Sequence, residues 1–194
     1  MKPRLDLTII DDFIPTWMQD QLEKLAQNHG CKYEFNSFTS HIDNINLYSE
    51  GPQFSNLILN DGQLKEYGVD HFFLLPFLTA CLKEGIAFDY SQFLRAKVNI
   101  LFKQESKSNT YINTPHIDVD PKIHPYNIIG LYYINDSDGD TVLYEGKDEN
   151  NLKIVDKISP KKGRMVLFDG SQYHSSSHPL KTDKRMVINY NIRY

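Results

Sequence analysis

The pattern of apolar and polar positions divides the chain into a helical first half and a strand-rich second half. Between Pro15 and Gly30, apolar residues recur every three or four positions, which predicts a helix with one buried face. Proline favours the first turn of a helix and glycine a position just past its end, so these two residues mark its bounds. The apolar positions are Met18, Leu22, Leu25 and Ala26.

A second helix is predicted from about Val69 to Lys83, where the run F-F-L-L-P-F-L indicates deep burial. Pro76 lies inside this run and lacks the backbone N–H that a continuous helix needs, so it must kink or divide the helix. The two helices predict that residues 1–90 form a helical support region.

From Arg95 onward, short runs rich in β-branched and aromatic residues are separated by turns. About eight such strands without intervening helices predict an antiparallel double sheet or barrel of the jelly-roll type. The predicted strands cover residues 95–102, 116–119, 127–135, 141–145, 152–158, 164–169, 173–177 and 185–194. The predicted fold class is therefore mainly β with N-terminal helices, and residues 91–194 form its barrel core.

Composition favours one domain that does not bind nucleic acid. Of 194 residues, 40% are hydrophobic and 12% aromatic, which is enough for one well-packed core, so residues 1–194 are predicted to form a single domain. The formal net charge of -4 and the sequence pI of about 5.9 provide no overall positive field for nucleic acid or anionic lipid.

The cysteines and the N-terminal residues predict a soluble, cytoplasmic protein. Cys31 and Cys81 have neither the spacing of a metal motif nor that of a disulfide framework, so both are expected to be buried free thiols. The first residues lack the apolar core of a signal peptide, and no run approaches the ~18 apolar residues of a membrane span.

The segment T-P-H-I-D-V-D offers a histidine and a carboxylate two residues apart. On a strand, positions i and i+2 point to the same side, so His116 and Asp118 would lie next to each other. His174, on a later predicted strand, is the candidate third ligand. Two histidines and one carboxylate form the facial triad of non-haem Fe(II) oxygenases, and the H-E-x-x-H helix motif of zinc hydrolases is absent.

Other residues compete for these positions. His178 could replace His174, although it directly precedes a proline, and Asp120 shares the predicted strand face with His116. His124 is most simply a loop residue. The histidines outside the predicted barrel, which are given structural or surface roles, are His29, His41 and His71.

Several motifs occur in the order and spacing of one enzyme family. They are H-I-D at 116–118, L-Y-Y-I-N at 131–135, D-G-D-T at 138–141, P-K-K-G-R-M-V-L-F at 160–168, His174 and Arg185. Over about residues 95–194 the sequence resembles the 2-oxoglutarate and Fe(II)-dependent dioxygenases, nearest to their prolyl-hydroxylase-like branch. The resemblance implies a double-stranded β-helix, a cupin-like barrel that agrees with the predicted jelly roll.

The resemblance also implies roles for individual residues. His116, Asp118 and His174 match the iron ligands, and Arg185 matches the residue that binds the distal carboxylate of 2-oxoglutarate. A planar guanidinium pairs bidentately with a carboxylate and keeps its charge, which supports this match. Tyr133 matches an aromatic position whose hydroxyl often assists the same carboxylate.

The same resemblance implies further contacts with the cosubstrate. Tyr132 is adjacent to Tyr133, and a shift of one residue in register would exchange their faces. Many family members have a tyrosine where Leu101 stands, so Asn99 is the candidate substitute, and Asn189 is a further candidate on the strand of the arginine. The turn reads D-G-D-T where members often have G-G-x-T, which is expected to change loop geometry more than chemistry.

The implied activity is that of an Fe(II)- and 2-oxoglutarate-dependent dioxygenase, an oxidoreductase. Such an enzyme uses O2 and couples the decarboxylation of 2-oxoglutarate to succinate with the oxidation of a C–H bond, with ascorbate as a candidate reductant. Hydroxylation is the expected outcome because Asp118 is retained, whereas related halogenases lack this carboxylate. Peptidyl proline is the first candidate substrate. The alternative is a non-catalytic, cupin-type jelly roll that binds a metal or a small molecule.

Substrate selectivity is expected from loops at the mouth of the barrel. The candidates are residues 102–115, residues 119–126 and the polar stretch from Tyr33 to Phe54. On the first barrel strand, Arg95 and Lys97 could point inward, where their positive charges could bind an anionic group. They could equally protect a sheet edge.

Overall fold

The computed structural model describes residues 6–28, 30–39, 51–65, 68–105, 111–146 and 148–193. Within these segments, eleven strands form two antiparallel sheets, and two α-helices lie outside them. The strands are β1 (Thr8–Ile10), β2 (Glu34–Asn36), β3 (Gln53–Asn60), β4 (Gln63–Leu64), β5 (Phe93–Phe102), β6 (Asn127–Tyr133), β7 (Thr141–Glu145), β8 (Lys153–Ile158), β9 (Met165–Asp169), β10 (His174–Ser176) and β11 (Lys184–Arg193).

The two sheets face each other across an apolar core. The larger sheet has the order β1-β9-β6-β11-β5-β3-β2, with β4 paired to β3, and the smaller sheet has the order β10-β7-β8. Leu143 of β7 and Ile158 of β8 pack against Leu131 and Phe168 of the larger sheet. This arrangement confirms the predicted jelly roll, a double-stranded β-helix.

Alternation along β11 separates this inner core from a second, outer one. Met186, Ile188 and Tyr190 point outward into a cluster shared with the helices, whereas Val187 points into the space between the sheets. In a strand, successive side chains face opposite sides of the sheet, so the remaining inward positions carry the polar residues of β11. These positions are Arg185, Asn189 and Asn191, and all three side chains are buried.

The helices cover the outer face of the larger sheet. Helix α1 spans Thr16–Ala26, with Pro15 at its N-cap position, and α2 spans Leu75–Glu84, directly after a 3₁₀ helix at Val69–Leu74. Pro76 lies in the first turn of α2, where the missing N–H would have no intrahelical partner in any case. The proline therefore divides the predicted second helix and does not kink it.

The first ninety residues also contribute strands, which the sequence analysis did not predict. Strands β1 to β4 join the larger sheet, and β3 lies directly beside β5. Three polar residues of β3 are buried, namely Gln53, Ser55 and Asn56. Because polar residues occupy buried positions, β3 lacks the alternation by which a strand is recognised in a sequence. That residues 1–194 form one domain stays a prediction.

Both cysteines are free thiols, as predicted. The buried Sγ of Cys31 donates to the carbonyl of Leu25 at 3.1 Å, and burial raises the pKa of this thiol to about 11. Cys81 is half-buried, and not buried as expected, because it lies on a less covered part of α2. No helix in the described segments has the length and apolar character that a membrane crossing requires.

The D-G-D-T turn anchors the loop between β10 and β11. The carboxylate of Asp138 accepts hydrogen bonds from the backbone N–H groups of Leu180, Lys181 and Thr182 at 3.2, 2.9 and 2.9 Å, and from the hydroxyl of Thr182 at 2.7 Å. Asp138 therefore adds stabilising contacts just before the strand that carries Arg185.

Replacing Asp138 with asparagine is expected to lower the free energy of unfolding at pH 7 by about 1–3 kcal/mol, because these bonds lose a charged acceptor. Burial alone would raise the pKa of Asp138, but the hydrogen bonds from Leu180 to Thr182 lower it to about 2, below the ordinary 3.8. The stabilisation is therefore present above pH 4 and is lost as the pH falls toward 2. Urea denaturation should show the difference shrinking between pH 7 and pH 3. The exposed Asp156→Asn serves as the control.

Candidate active site

His116 and His174 lie opposite each other on neighbouring segments of the chain. An isolated antiparallel bridge joins them, in which the N–H of each donates to the carbonyl of the other at 2.9 and 3.0 Å. The predicted strand over residues 116–119 is wrong, because the chain turns away into a bend at Asp118 directly after this bridge. The bridge nevertheless sets the two imidazole rings 4.8 Å apart, centre to centre.

Asp118 completes a three-residue cluster with the two histidines. Its Oδ1 lies 3.7 Å from Nε2 of His116, and its Oδ2 lies 3.7 Å from Nε2 of His174. The ligand atoms of the three side chains all lie within 4.8 Å of one another, so a single cation between them can contact all three. The structure brings the three predicted residues together, although residues 116–119 do not form the predicted strand; that they bind iron stays a prediction.

Backbone contacts fix the tautomers of both histidines. Nδ1 of His116 lies 3.1 Å from the carbonyl oxygen of Thr114, and Nδ1 of His174 lies 3.1 Å from that of Gln172. A carbonyl only accepts, so each Nδ1 carries the proton and each Nε2 keeps its lone pair. A metal-binding histidine commonly donates its other N–H in this way.

The buried Nε2 of His174 tests whether the cluster suits a metal. Within the described part of the chain this atom has no hydrogen-bond partner. Buried polar atoms are nearly always partnered, so a lone pair directed at a carboxylate and a second imidazole fits a cation between them. The donor set of two imidazoles and one carboxylate matches the facial triad of non-haem Fe(II).

Electrostatics favour the ionisation states that bind a metal. Burial, assisted by the neighbouring His174, lowers the pKa of His116 to about 4, so its imidazole is neutral at pH 7. Burial alone would raise the pKa of Asp118, but Arg95 and the two histidines hold it well below its usual range. Neutral imidazole and ionised carboxylate are the forms that coordinate metals.

Three side chains orient the carboxylate of Asp118. Nη2 of Arg95 lies 2.7 Å from Oδ1, which makes the two groups an ion pair. The contact lacks the alignment of a hydrogen bond, and Nη2 has no other acceptor in the described segments. Asn189 and Asn191 donate to Oδ2 at 2.8 and 3.0 Å. Asn189 was predicted to contact the cosubstrate, but its amide N–H is engaged by Asp118. The contributions of Arg95 and Asn191 were not predicted.

The competing residues have other contacts. Nδ1 of His178 lies 2.9 Å from the carbonyl of Phe102, and its ring covers Gly51 so closely that a Cβ there would lie 2.2 Å from Nε2. The carboxylate of Asp120 accepts from the N–H of Lys122 at 2.8 Å within its own turn. His124 uses its backbone carbonyl to accept a hydrogen bond from Asn127. Two further histidines, His29 and His41, lie outside the described residues.

Arg185 lies at the far end of the space between the sheets, with only 3% of its surface exposed. Its Nε donates to the carbonyl of Gly139 at 2.8 Å, and Nη2 donates to the hydroxyl of Thr141 at 2.8 Å. Gly139 is required because a Cβ at this position would lie 2.5 Å from the carbonyl oxygen of Ser177. The D-G-D-T turn therefore holds the guanidinium, a role that sequence reasoning missed.

The structure places Tyr133, not Tyr132, on the inner face of β6. The hydroxyl of Tyr133 lies 2.6 Å from that of Thr141, and the guanidinium of Arg185 lies 5.6 Å from the centre of its ring. Tyr132 points outward into the core beneath the helices. Tyr133, Thr141 and Arg185 therefore form one polar group.

A single cavity connects this polar group with the metal-ligand cluster. It is lined by His116, Asp118, Asn99, Leu101, Leu131, Thr141, His174, Arg185, Val187 and Asn189, among others. The Oδ1 atom of Asn99 is buried and has no hydrogen-bond partner in the described segments, so an acceptor faces the cavity at its middle. An elongated diacid could reach from the metal site to the guanidinium.

Comparison with known proteins is consistent with this geometry. Residues 106–193 match the model of the 2OG-Fe(II) oxygenase superfamily. Curated protein sequences give no match. An oxidoreductase of the 2OG-Fe(II) oxygenase family from Burkholderia pseudomallei has a similar structure, with a TM-score of 0.65 and 12% identity over 97% of this chain and 85% of that one.

Two prolyl hydroxylases share the fold as well. One is from Trichoplax adhaerens, solved with a peptide fragment of the hypoxia inducible factor oxygen degradation domain. Its TM-score is 0.56, with 17% identity over 96% of this chain and 83% of that one. The other is a prolyl-4-hydroxylase from Pseudomonas putida, with a TM-score of 0.54 and 11% identity over 97% of this chain and 92% of that one.

A double-stranded β-helix that buries two histidines and a carboxylate at one end of a cavity defines the class of non-haem iron oxygenases. Within that class, residues 106–193 match the 2OG-Fe(II) oxygenase superfamily. The protein is therefore an oxidoreductase of the kind that uses Fe(II), 2-oxoglutarate and O2. This confirms the predicted family, enzyme class and cofactors.

Proposed function

We propose that the protein is a 2-oxoglutarate-dependent hydroxylase in which His116, Asp118 and His174 bind Fe(II) and Arg185 binds the distal carboxylate of 2-oxoglutarate. The observation that carries the proposal is one cavity with the three metal-ligand candidates near one end and a buried guanidinium at the other. When bound, Fe(II) would supply the activation of O2 that couples decarboxylation of 2-oxoglutarate to insertion of oxygen into a C–H bond.

The residues of the chain would position the reactants. Arg185 is held by Gly139 and Thr141 through Nε and Nη2, and its guanidinium would donate its remaining N–H groups to the cosubstrate beside the Tyr133 hydroxyl. A cosubstrate carboxylate bound there would be desolvated by the same burial that surrounds the guanidinium, which strengthens the charge pair. The apolar side chains of Leu131 and Val187 line the same cavity and would disfavour water beside them.

Asp118 favours hydroxylation over alternative outcomes. Its carboxylate is fixed by Arg95, Asn189 and Asn191, so it would remain a metal ligand throughout turnover and leave no coordination position for a halide. Oxygen is then the group transferred to the substrate. The balanced outcome is one hydroxylated product, one succinate and one CO2 for each 2-oxoglutarate and O2.

A peptidyl proline is the substrate class proposed for the first tests. Support comes from the two prolyl hydroxylases of the same fold, one of which was solved with a peptide. At 17% identity or less they share the fold, so free amino acids and nucleotides belong in the same screen.

Purified protein with Fe(II), ascorbate and O2 is expected to convert 2-oxoglutarate to succinate, slowly without substrate and faster with the right one. Succinate should be quantified by mass spectrometry for each class of candidate substrate. The absence of succinate from iron-loaded protein in the presence of all candidate classes would contradict the proposal. It would favour a jelly roll that binds metal without turnover.

A further inference from the structure

A second space opens over the metal-ligand cluster, on the side away from Arg185. This outer cleft has a volume of about 370 Å³ and shares His116, Asp118 and Lys97 with the inner cavity. Its wall also includes Arg95, which does not line the inner cavity. The outer cleft is therefore the side from which a substrate would approach the metal.

Arg95 and Lys97 lie two residues apart on β5, so both side chains face the inside of the barrel. The pairing of β5 with β11 places Lys97 opposite Asn189 and Arg95 opposite Asn191, whereas Arg185 pairs with Leu101. Arg95 is six residues from Leu101 along the strand, a separation of roughly 20 Å. A five-carbon diacid anchored at Arg185 cannot also reach Arg95.

Lys97 has no counter-ion of its own. No described residue forms a hydrogen bond or a salt bridge with its ammonium group, although the side chain is half-buried. Burial, followed by repulsion from Arg95, lowers the pKa of Lys97 to about 8, and the attraction of Asp118 offsets this shift only in part. In contrast, the lysines near α1 are paired: Lys161 with Asp11 and Lys162 with both Asp20 and Glu23.

Arg95 is also incompletely paired. Its Nε is buried and has no hydrogen-bond partner in the described part of the chain. Its contact at Nη2 is with Asp118, which the proposed metal would share. Cationic groups away from water are costly unless an anion accompanies them. Lys97 is paired with none of the described residues, and Arg95 would share Asp118 with the metal, so the two cations together indicate a site for an anion.

We propose that Arg95 and Lys97 form an anion subsite in the outer cleft, and that the substrate carries a carboxylate or phosphate group that binds there. The part that concerns the substrate rests on the proposed function, whereas the anion subsite itself does not. The subsite holds the anionic group beside the metal ligands, so the C–H bond to be attacked lies a short distance from that group.

Direct titration with small anions tests the subsite without turnover. Inorganic phosphate and acetate, which represent the two chemistries, should be titrated by NMR into anaerobic protein saturated with Fe(II) and 2-oxoglutarate. We expect at least one to bind, and Lys97→Met to weaken that binding tenfold or more because the ammonium is removed. Lys97→Arg keeps the charge and should retain binding. The exposed Lys103→Met is the matched control and should resemble the wild type.

Three results would overturn the subsite. Neither anion binds, Lys97→Met binds the anion as the wild type does, or Lys97→Met lowers the affinity for 2-oxoglutarate as much as it lowers the affinity for the anion. The last result would assign Lys97 to the cosubstrate. The titration should be repeated on metal-free protein. Anion binding that requires Lys97 but no iron would leave the subsite intact even if the metal assignment failed. Folding of Lys97→Met is expected to be preserved, because the substitution removes a poorly compensated buried charge.

Discussion

Replacing His174 with alanine is expected to remove the bound iron and to reduce succinate formation to background. Loss of a residue that merely hydrogen-bonds to a metal ligand typically costs about 10–100-fold in metal affinity. His174 is itself one of the three proposed ligands, with its lone pair directed at the cluster, so the loss should exceed about 100-fold. Iron content after anaerobic loading and succinate yield from 2-oxoglutarate are the two measurements. Asp118→Ala should behave in the same way.

His124→Ala is the matched control, because it removes an imidazole from the same half of the chain. The structure shows His124 interacting with Asn127 through its backbone carbonyl, which the substitution retains. This variant should load iron as the wild type does. Retention of iron and turnover by His174→Ala would show that the cluster of His116, Asp118 and His174 is not the catalytic metal site.

Stability measurements separate loss of the metal from loss of the fold. The bridge between His174 and His116 consists of backbone hydrogen bonds, so the alanine variant should keep it. A ligand at 100 times its Kd stabilises a protein by about 2.7 kcal/mol. Adding Fe(II) should therefore raise the unfolding midpoint of the wild type but not that of His174→Ala. The two metal-free proteins should unfold at similar midpoints.

The strands that carry the site could be predicted because their alternation is regular. On β11, apolar residues facing the helices alternate with Arg185, Val187, Asn189 and Asn191, and the pattern of the sequence shows this directly. For Arg95 and Lys97 the sequence left open whether they point inward or protect a sheet edge, and in the structure both line the outer cleft. Short motifs, in their order along the chain, were enough to predict the fold, the metal-ligand candidates and Arg185 as the cosubstrate-binding arginine.

The contacts between distant segments could not be predicted in the same way. Strand β3 was missed because its buried polar residues conceal its alternation, and the strand at 116–119 was wrong because a single bridge sets the position of His116. The engagement of Asn189 by Asp118 depends on a bend that brings residue 118 back over β11. The support of Arg185 by Thr141 likewise requires the smaller sheet to lie against the larger one.

Replacing Arg185 with glutamine is expected to weaken 2-oxoglutarate binding by about 30-fold or more and to leave iron binding unchanged. Truncating one partner of a buried, hydrogen-bonded charge pair costs about 2–5 kcal/mol, and glutamine lacks both the charge and the planar fork. The affinity should be measured by anaerobic calorimetry on iron-loaded protein. The KM for 2-oxoglutarate should rise in the succinate assay.

Lys184→Gln is the matched control for this substitution. Lys184 adjoins Arg185 on β11 but points outward, where its Nζ donates to Oε1 of Gln27 at 2.6 Å. Arg193, a further cation on β11, interacts with Asp61 and the carbonyl of Ser91 at the surface, so neither Lys184 nor Arg193 reaches the cavity. Unchanged 2-oxoglutarate affinity in Arg185→Gln would mean that the cosubstrate does not extend to the polar group of Tyr133, Thr141 and Arg185.

Arg185→Lys distinguishes the role of the charge from that of the geometry. Lysine keeps a positive charge at this buried position but cannot donate to both Gly139 and Thr141 while presenting a bidentate fork to a carboxylate. Its affinity for 2-oxoglutarate should therefore lie between those of the wild type and Arg185→Gln. If Arg185→Lys binds as weakly as Arg185→Gln, the fork and its two supports determine affinity. If it binds as the wild type does, charge alone is sufficient, and the D-G-D-T turn serves stability and not recognition of the cosubstrate.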